Sequence, residues 1–389
     1  MTDVAIASTA LRDSEGGEDL AAQLLAELDG GTPDALILFA SPQNDYGSLL
    51  RAIDAKCHPK AMIGCSSAGE FTTSASGTGM TSAIALRSPE MRFTAALARG
   101  LSADREVAAR DLVRGFEGLE SSDYRYRTAL VLVDALAGHS EDLVDQLTLA
   151  TGGMYQFFGG GAGDDGRFQK THVFFGTEAH TNAAVALEML SNKPFGIGAR
   201  HGWSPSSDPL RVTESLESCL VSLNVSPAVE AFEEHAEATD QQFDRDDPMP
   251  FFLHNIVGVK TDDGHKLRVP LAVDAEGGIV LAAEVPTGST AHIMSIEASS
   301  AAEAAASATR DAIQQVERAG HTPKAALFFD CVATRLRLGK DFGHELDAVG
   351  AALGDVPFAG FNSYGQIVRA EGQFSGFHNC TAVVCVIPD

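Results

Sequence analysis

An apolar run, a helical stretch and a glycine turn follow one another three times along this chain, and that repeat limits the fold more than any other feature. The first copy runs from Ala35 (ALILFAS) through residues 46–56 to AMIGCSSAGEF. The second runs from Ala129 (ALVLVDA) through residues 140–150 to MYQFFGGGAGDD. The third runs from Ala325 (AALFFDCV) through residues 341–353 to PFAGFNSYGQI. Short runs rich in Leu, Val, Ile and Phe, bounded by turn residues, read as buried strands. Leu143, Leu147 and Ala150, and likewise Phe342, Leu346, Val349 and Leu353, recur at helical spacing. A further strand is expected after each turn, over residues 82–87, 171–175 and 381–387. The repeat therefore predicts an α/β chain of strand–helix–strand units with mixed β-sheets.

Aligned on Gly69, the turns read C-S-S-A-G-E, G-G-G-A-G-D and F-N-S-Y-G-Q. Glycine there implies positive φ or a close backbone approach. The next residue is Glu70, Asp164 or Gln366. Two readings follow: an acid that caps backbone N–H groups in a tight turn, or several turns meeting around one ligand.

The material between the second and third units differs. Residues 192–209 are loop-rich and hold the only tryptophan, 211–223 read as strands, and 227–238 as an acidic helix. Residues 241–251 are charged and contain proline, the best linker candidate. Residues 265–296 read as a meander, and the Ala-rich 299–319 as a helix. This division predicts two domains, 1–240 and 241–389.

A chain of 389 residues is long enough for two domains and needs no staples. Its formal net charge of -25 repels phosphate backbones and anionic head groups, which argues against nucleic-acid and membrane partners. No stretch approaches the roughly 20 apolar residues of a membrane span, and residues 1–18 lack a signal-peptide pattern. The six cysteines are scattered, with no C-x-x-C pair, so reduced thiols in a cytoplasmic protein are expected.

Motif by motif, the chemistry is sparse. Gly161–Gly166 spells G-x-G-x-x-G, but a strand rather than a helix is expected after it, and Asp164 and Asp165 would repel a phosphate. G-C-S-S-A-G at 64–69 fails the nucleophile-elbow pattern, although Cys65 remains a candidate thiol for a hydrolase. His201 and His378 lie beside Trp203 and Phe377, settings suited to a haem ligand, to a polar contact, or to a histidine held by backbone groups. Arg335, just past a strand, suits a ligand carboxylate or an internal ion pair.

The runs IGCSSAGEF, FFGGGAGDD, GARHGWSP with RVTES, and PAVEAFEEH resemble the N-terminal domain of the FIST family. ALFFDCVATRLRLG, PFAGFNSYGQI and HNCTAVV resemble its C-terminal domain. The resemblance implies a non-enzymatic input module for small ligands, with amino acids proposed as ligands and haem with nitric oxide in one branch. It also implies a signalling partner such as a histidine kinase or a cyclic-di-GMP enzyme. The ligand set it suggests is Cys65, Ser67, Glu70, Asp164, His201, Trp203, Arg335, Asn362, Gln366, His378 and Asn379, with His378 or His201 as the metal ligand should haem be bound. The chain departs from the family at Gln366, where Glu is usual, and at Arg335, which lies four residues after Cys331. A cysteine-dependent hydrolase and a ligand-free scaffold are the alternative readings.

Overall fold

The computed structural model describes residues 2–121, 123–297, 299–372 and 375–389. The three repeats build three six-stranded sheets. The first orders Asp3–Thr9, Thr81–Arg87, Ala35–Ala40, Ala61–Ser66, Val173–Phe175 and Glu178–His180. The second orders Arg92–Arg99, Ala183–Ser191, Tyr126–Val133, Gln156–Gly161, Gln366–Arg369 and Gly376–His378. The third orders Gly196–Arg200, Ala382–Pro388, Pro323–Cys331, Phe358–Ser363, Glu70–Thr72 and Ser76–Gly77. In each, the two strands of the repeat pair in parallel, as in Phe39↔Cys65, Val131↔Gly159 and Phe329↔Phe361.

The last two strands of every sheet come from a different unit. The second unit lends its hairpin to the first sheet, the third unit to the second, and the first unit to the third. The exchange has a physical reason. The strand that precedes each glycine turn would otherwise leave a row of unpaired N–H and C=O groups, and the neighbour's hairpin covers that edge. One expectation is corrected here. The sequence places the second unit's closing strand at residues 171–175; Val173–Phe175 belongs instead to the lent hairpin, and the closing strand is Ala183–Ser191.

Each unit also begins with a strand and helix upstream of the repeat. Helices Asp13–Glu27 and Tyr46–Cys57 cover the outer face of the first sheet, Arg105–Arg114 and Ser140–Ala150 that of the second, and Ser300–Arg318 and Gly343–Leu353 that of the third. The inner faces of all three sheets meet in one core, where Phe39 stacks on Phe361 at 4.4 Å and both contact Phe329. Strands buried on both faces are apolar at nearly every position, which is why they read as continuous runs rather than alternating ones.

Residues 204–295 interrupt the third unit between its first strand and its first helix. They form a nine-stranded sheet with helices Ala228–Ala238 and Met249–Phe252 and a core of their own around Phe232, Phe251, Phe252 and Ile293. The linker candidate at 241–251 lies within this insert, following its first helix and running into the second. A separate apolar cluster, in which Trp203, Ile256, Leu267, Val269 and Met294 pack on Cys331, Ala333 and Cys380, seats the insert on the third unit. No helix among the described residues is long and apolar enough to cross a membrane.

Candidate functional site at the seam of the insert

The three glycine turns meet, and they hydrogen-bond to one another in a ring. Ala68 N donates to Asn362 O and Asn362 N to Gly69 O; Gly163 N donates to Ser66 O; Tyr364 N donates to Gly161 O and Gly161 N to Gly365 O. Gly69 and Gly365 have φ of +134° and +98°, and a Cβ on Gly163 would lie 2.7 Å from Ala68 N. Both reasons for glycine inferred from the sequence are thus present in the ring.

The residue after each glycine is turned into the protein. Asp164 accepts from Phe168 N, Gln169 N and Lys170 N at 2.7–2.8 Å and from the Tyr364 hydroxyl. Gln366 accepts from Thr381 N and donates to Ser363 Oγ. Glu70 accepts from Ser67 Oγ and Met80 N. Burial pushes the Glu70 carboxyl up to about 8, against the pull of those hydrogen bonds. Arg335, on the helix Val332–Leu338, lies over the first turn, donates to Ala68 O and faces Asn362 Oδ1 across Gly69.

The other candidates lie apart from this ring. Cys65 is fully buried in the central core, where burial and then Glu70 push its thiol well above the ordinary range. His378 is buried on the hairpin strand opposite Gln366. His201 and Trp203 line a shallow groove of about 690 Å³ with Arg200, Ser300, Glu303 and Ala348. The His201 ring has backbone partners in His265, 3.2 Å from Nε2, and in Trp203. Burial holds it below the usual histidine range. Arg337 stacks over the Trp203 ring at 5.7 Å.

Two connected cavities lie where the insert meets the ring. An inner chamber of about 70 Å³ is walled by Phe168, Cys331, Val332, Tyr364 and Asn379 on the ring side and by Val269, Leu271 and Ala282 from the insert. It shares Ala135, Leu136, Leu271 and Ala282 with an outer groove of about 500 Å³ that holds Arg105, His139, Glu284 and Phe377. His139 Nδ1 lies 3.0 Å from Glu284. Arg105 donates to Ser102 O and Ala137 O, while its Nε has no hydrogen-bond partner among the described residues. A buried clamp closes the seam beside the groove. Arg268 donates to Glu284 O, to Phe377 O and, at 3.2 Å, to Glu141, which also binds Lys266 at 2.5 Å.

Of the residues singled out from sequence, only Asn379 reaches this chamber, its Oδ1 accepting from Val269 N at 3.4 Å. Tyr364 and Cys331 stood inside the quoted motifs, but nothing in their spacing marks them as exposed to a cavity. Arg105, His139 and Glu284 carry no motif, because the seam brings together segments far apart in the chain. Among the described residues, no group of three or more His, Cys, Asp or Glu side chains is placed to hold a metal ion.

Comparison with known proteins gives a consistent picture. Residues 34–226 match the FIST N domain and residues 228–369 the FIST C domain. Uncharacterised proteins from two strains of Mycobacterium tuberculosis are 25% identical over 98% of this chain and 98% of their own. Among solved structures, a cyanuric acid hydrolase from A. caulinodans aligns over 100% of this chain and 99% of its own, with 8% identity and a TM-score of 0.32. A phosphoribosylformylglycinamidine synthase II from Thermotoga maritima aligns over 100% and 72%, with 12% identity and a TM-score of 0.23. At such scores neither bears on what this chain does.

Proposed function

The chain belongs to the FIST family, an architecture consistent with a small-ligand sensor in signalling, and we propose that it is a non-enzymatic binding protein whose ligand enters the seam between the insert and the ring. One observation carries this reading: the outer groove and inner chamber are lined from both domains, by Ala135 and Phe168 of the N domain and by Leu271, Ala282 and Tyr364 of the C domain. A ligand there alters how the insert sits on the ring, and so the surface offered to a partner. The groove's volume falls in the range of roughly 300–1,000 Å³ used for small-molecule sites. Arg105 and the Glu284–His139 pair give it charges of both signs, which suits a zwitterion of amino-acid size. The output runs through a partner, with a histidine kinase or a cyclic-di-GMP enzyme as the family's pattern.

Haem held through the expected ligands fits this site poorly. His201 and His378 line neither cavity, and the His201 ring is held by backbone groups. A cysteine hydrolase through Cys65 likewise finds no support in a thiol buried in the core.

Thermal-shift titration with the twenty amino acids, together with an absorption spectrum after haem addition, tests the reading. A ligand at 100 times its Kd adds about 2.7 kcal/mol, so Tm rises by several degrees. Ala135→Trp, which fills the groove, abolishes the shift without lowering the starting Tm by a comparable amount. A Soret band lost in His201→Ala, or acyl-substrate turnover lost in Cys65→Ala, would overturn the proposal.

A further inference from the structure

Six cysteines are present and all are free, yet two of them share a setting the others lack. Cys331 ends the strand Pro323–Cys331 and Cys380 precedes the strand Ala382–Pro388; both lie just beyond Phe329↔Val383, the last rung between those strands. Cys331 and Cys380 pack within the same buried cluster, and Cys380 is the foremost influence on the Cys331 sulfur. Cys331 forms part of the wall of the inner chamber of about 70 Å³. The chamber communicates with the groove through Ala135, Leu136, Leu271 and Ala282.

We infer that Cys331 and Cys380 form a peroxide-reactive dithiol, with hydrogen peroxide or a small hydroperoxide reaching Cys331 through the inner chamber. The reaction needs no ligand in the seam; one that filled the chamber would slow it.

The surroundings favour a thiolate on Cys331. Hydrogen bonds from Cys380, Ala333 N and the Gln366 amide, with that from Cys380 foremost, outweigh burial and bring its thiol down to about 7. The thiolate is the reactive form. Gln366 matters by being neutral. The sister turns carry Glu70 and Asp164 at this position, and Glu70 raises its own neighbour Cys65. The remaining ionisable groups around the pair are Asp330, Glu345 and Arg337. Burial pushes Asp330 well above its ordinary range and Glu345 up to about 8, which lessens the negative charge beside the thiolate. The Arg337 charge acts on Cys380, drawing its thiol down against burial; the Arg337 Nε and Nη2 have no hydrogen-bond partner among the described residues.

The chemistry balances with the peroxide as sole oxidant. The Cys331 thiolate attacks one peroxide oxygen, the O–O bond breaks, and the other oxygen leaves and takes a proton as water or alcohol. Cys331 becomes a sulfenic acid. Cys380 loses its proton, its sulfur attacks the Cys331 sulfur, the S–O bond breaks, and hydroxide leaves as water. Two thiols have lost two electrons to one peroxide.

The test treats the full-length protein with one equivalent of hydrogen peroxide and maps its thiols by mass spectrometry. Wild type is expected to lose two thiols and yield a peptide pair linked through Cys331 and Cys380, restored by dithiothreitol. Cys380→Ser should stop at a dimedone-trapped sulfenic acid on Cys331, and Cys331→Ser should consume peroxide at least tenfold more slowly. Two folded-state controls keep the outcome decisive: Ala282→Leu, which fills the chamber, should slow oxidation, and Gln366→Glu should shift its pH profile upward. Oxidation first at the half-exposed Cys219, or equal rates in wild type and Cys331→Ser, would overturn the inference.

Discussion

At the scale of single residues, the turn acids act first on the backbone. Asp164 satisfies three N–H groups in the loop that leads to the lent hairpin. Leaving a buried donor unpaired costs about 1–3 kcal/mol each, so Asp164→Ala should lower unfolding free energy by at least about 3 kcal/mol in urea titration. Glu70 behaves differently. Its carboxyl keeps a proton up to about 8 in the folded protein, while the unfolded chain loses it near the ordinary 4.5. The folded state therefore binds more protons between those values, and stability falls as pH rises through that window, by up to about 1.4 kcal/mol per unit, levelling off above it. Glu70→Gln removes this contribution. The decline of Tm between pH 5 and pH 8 should become shallower in that variant, and an unchanged slope would show that Glu70 does not carry it.

At the scale of elements, the third unit depends on a close contact between strand Gly196–Arg200 and helix Ser300–Arg318. The helix offers Ala305, Ala308, Ala312 and Val316, and a Cβ on Gly198 would lie 1.9 Å from Ala308 O. Only glycine allows that approach. Gly198→Val should push the helix off the sheet, with a loss of several kcal/mol and faster amide exchange in both elements. The sequence reads residues 192–209 as loop, so the strand Gly196–Arg200 within them is a correction, whereas the helix is legible as Ala-rich. Their mutual packing is not, because nearly a hundred residues of insert separate them.

At the scale of the whole molecule, hairpin exchange ties the three units into one cooperative body. A fragment ending at residue 240 lacks the hairpin of Gln366–Arg369 and Gly376–His378, so the strand Gln156–Gly161 keeps an open edge. Such a fragment should aggregate or remain unfolded by circular dichroism, whereas the full chain should unfold in a single transition. The insert is held more locally. Removing one partner of a buried ion pair costs about 3–5 kcal/mol, so Glu141→Ala, which strands the Arg268 guanidinium, should destabilise the seam. Limited proteolysis is expected to open at residues 266–284 before the sheets yield.

Periodicity and turn chemistry sufficed to read three strand–helix–strand units, their glycine turns and a separate segment between the second and third. Each of those features is encoded within a dozen or so neighbouring residues, where local sterics and burial pattern act directly. The tertiary structure alone decided which sheet each hairpin joins, that residues 171–175 belong to a lent hairpin, and where the cavities open. Those outcomes depend on pairing between edges far apart in the chain. For the same reason Glu70, Asp164 and Gln366, prominent as a repeat, turned inward to hold their turns, while Cys331 and Tyr364 acquired a shared chamber only when the insert closed over the ring.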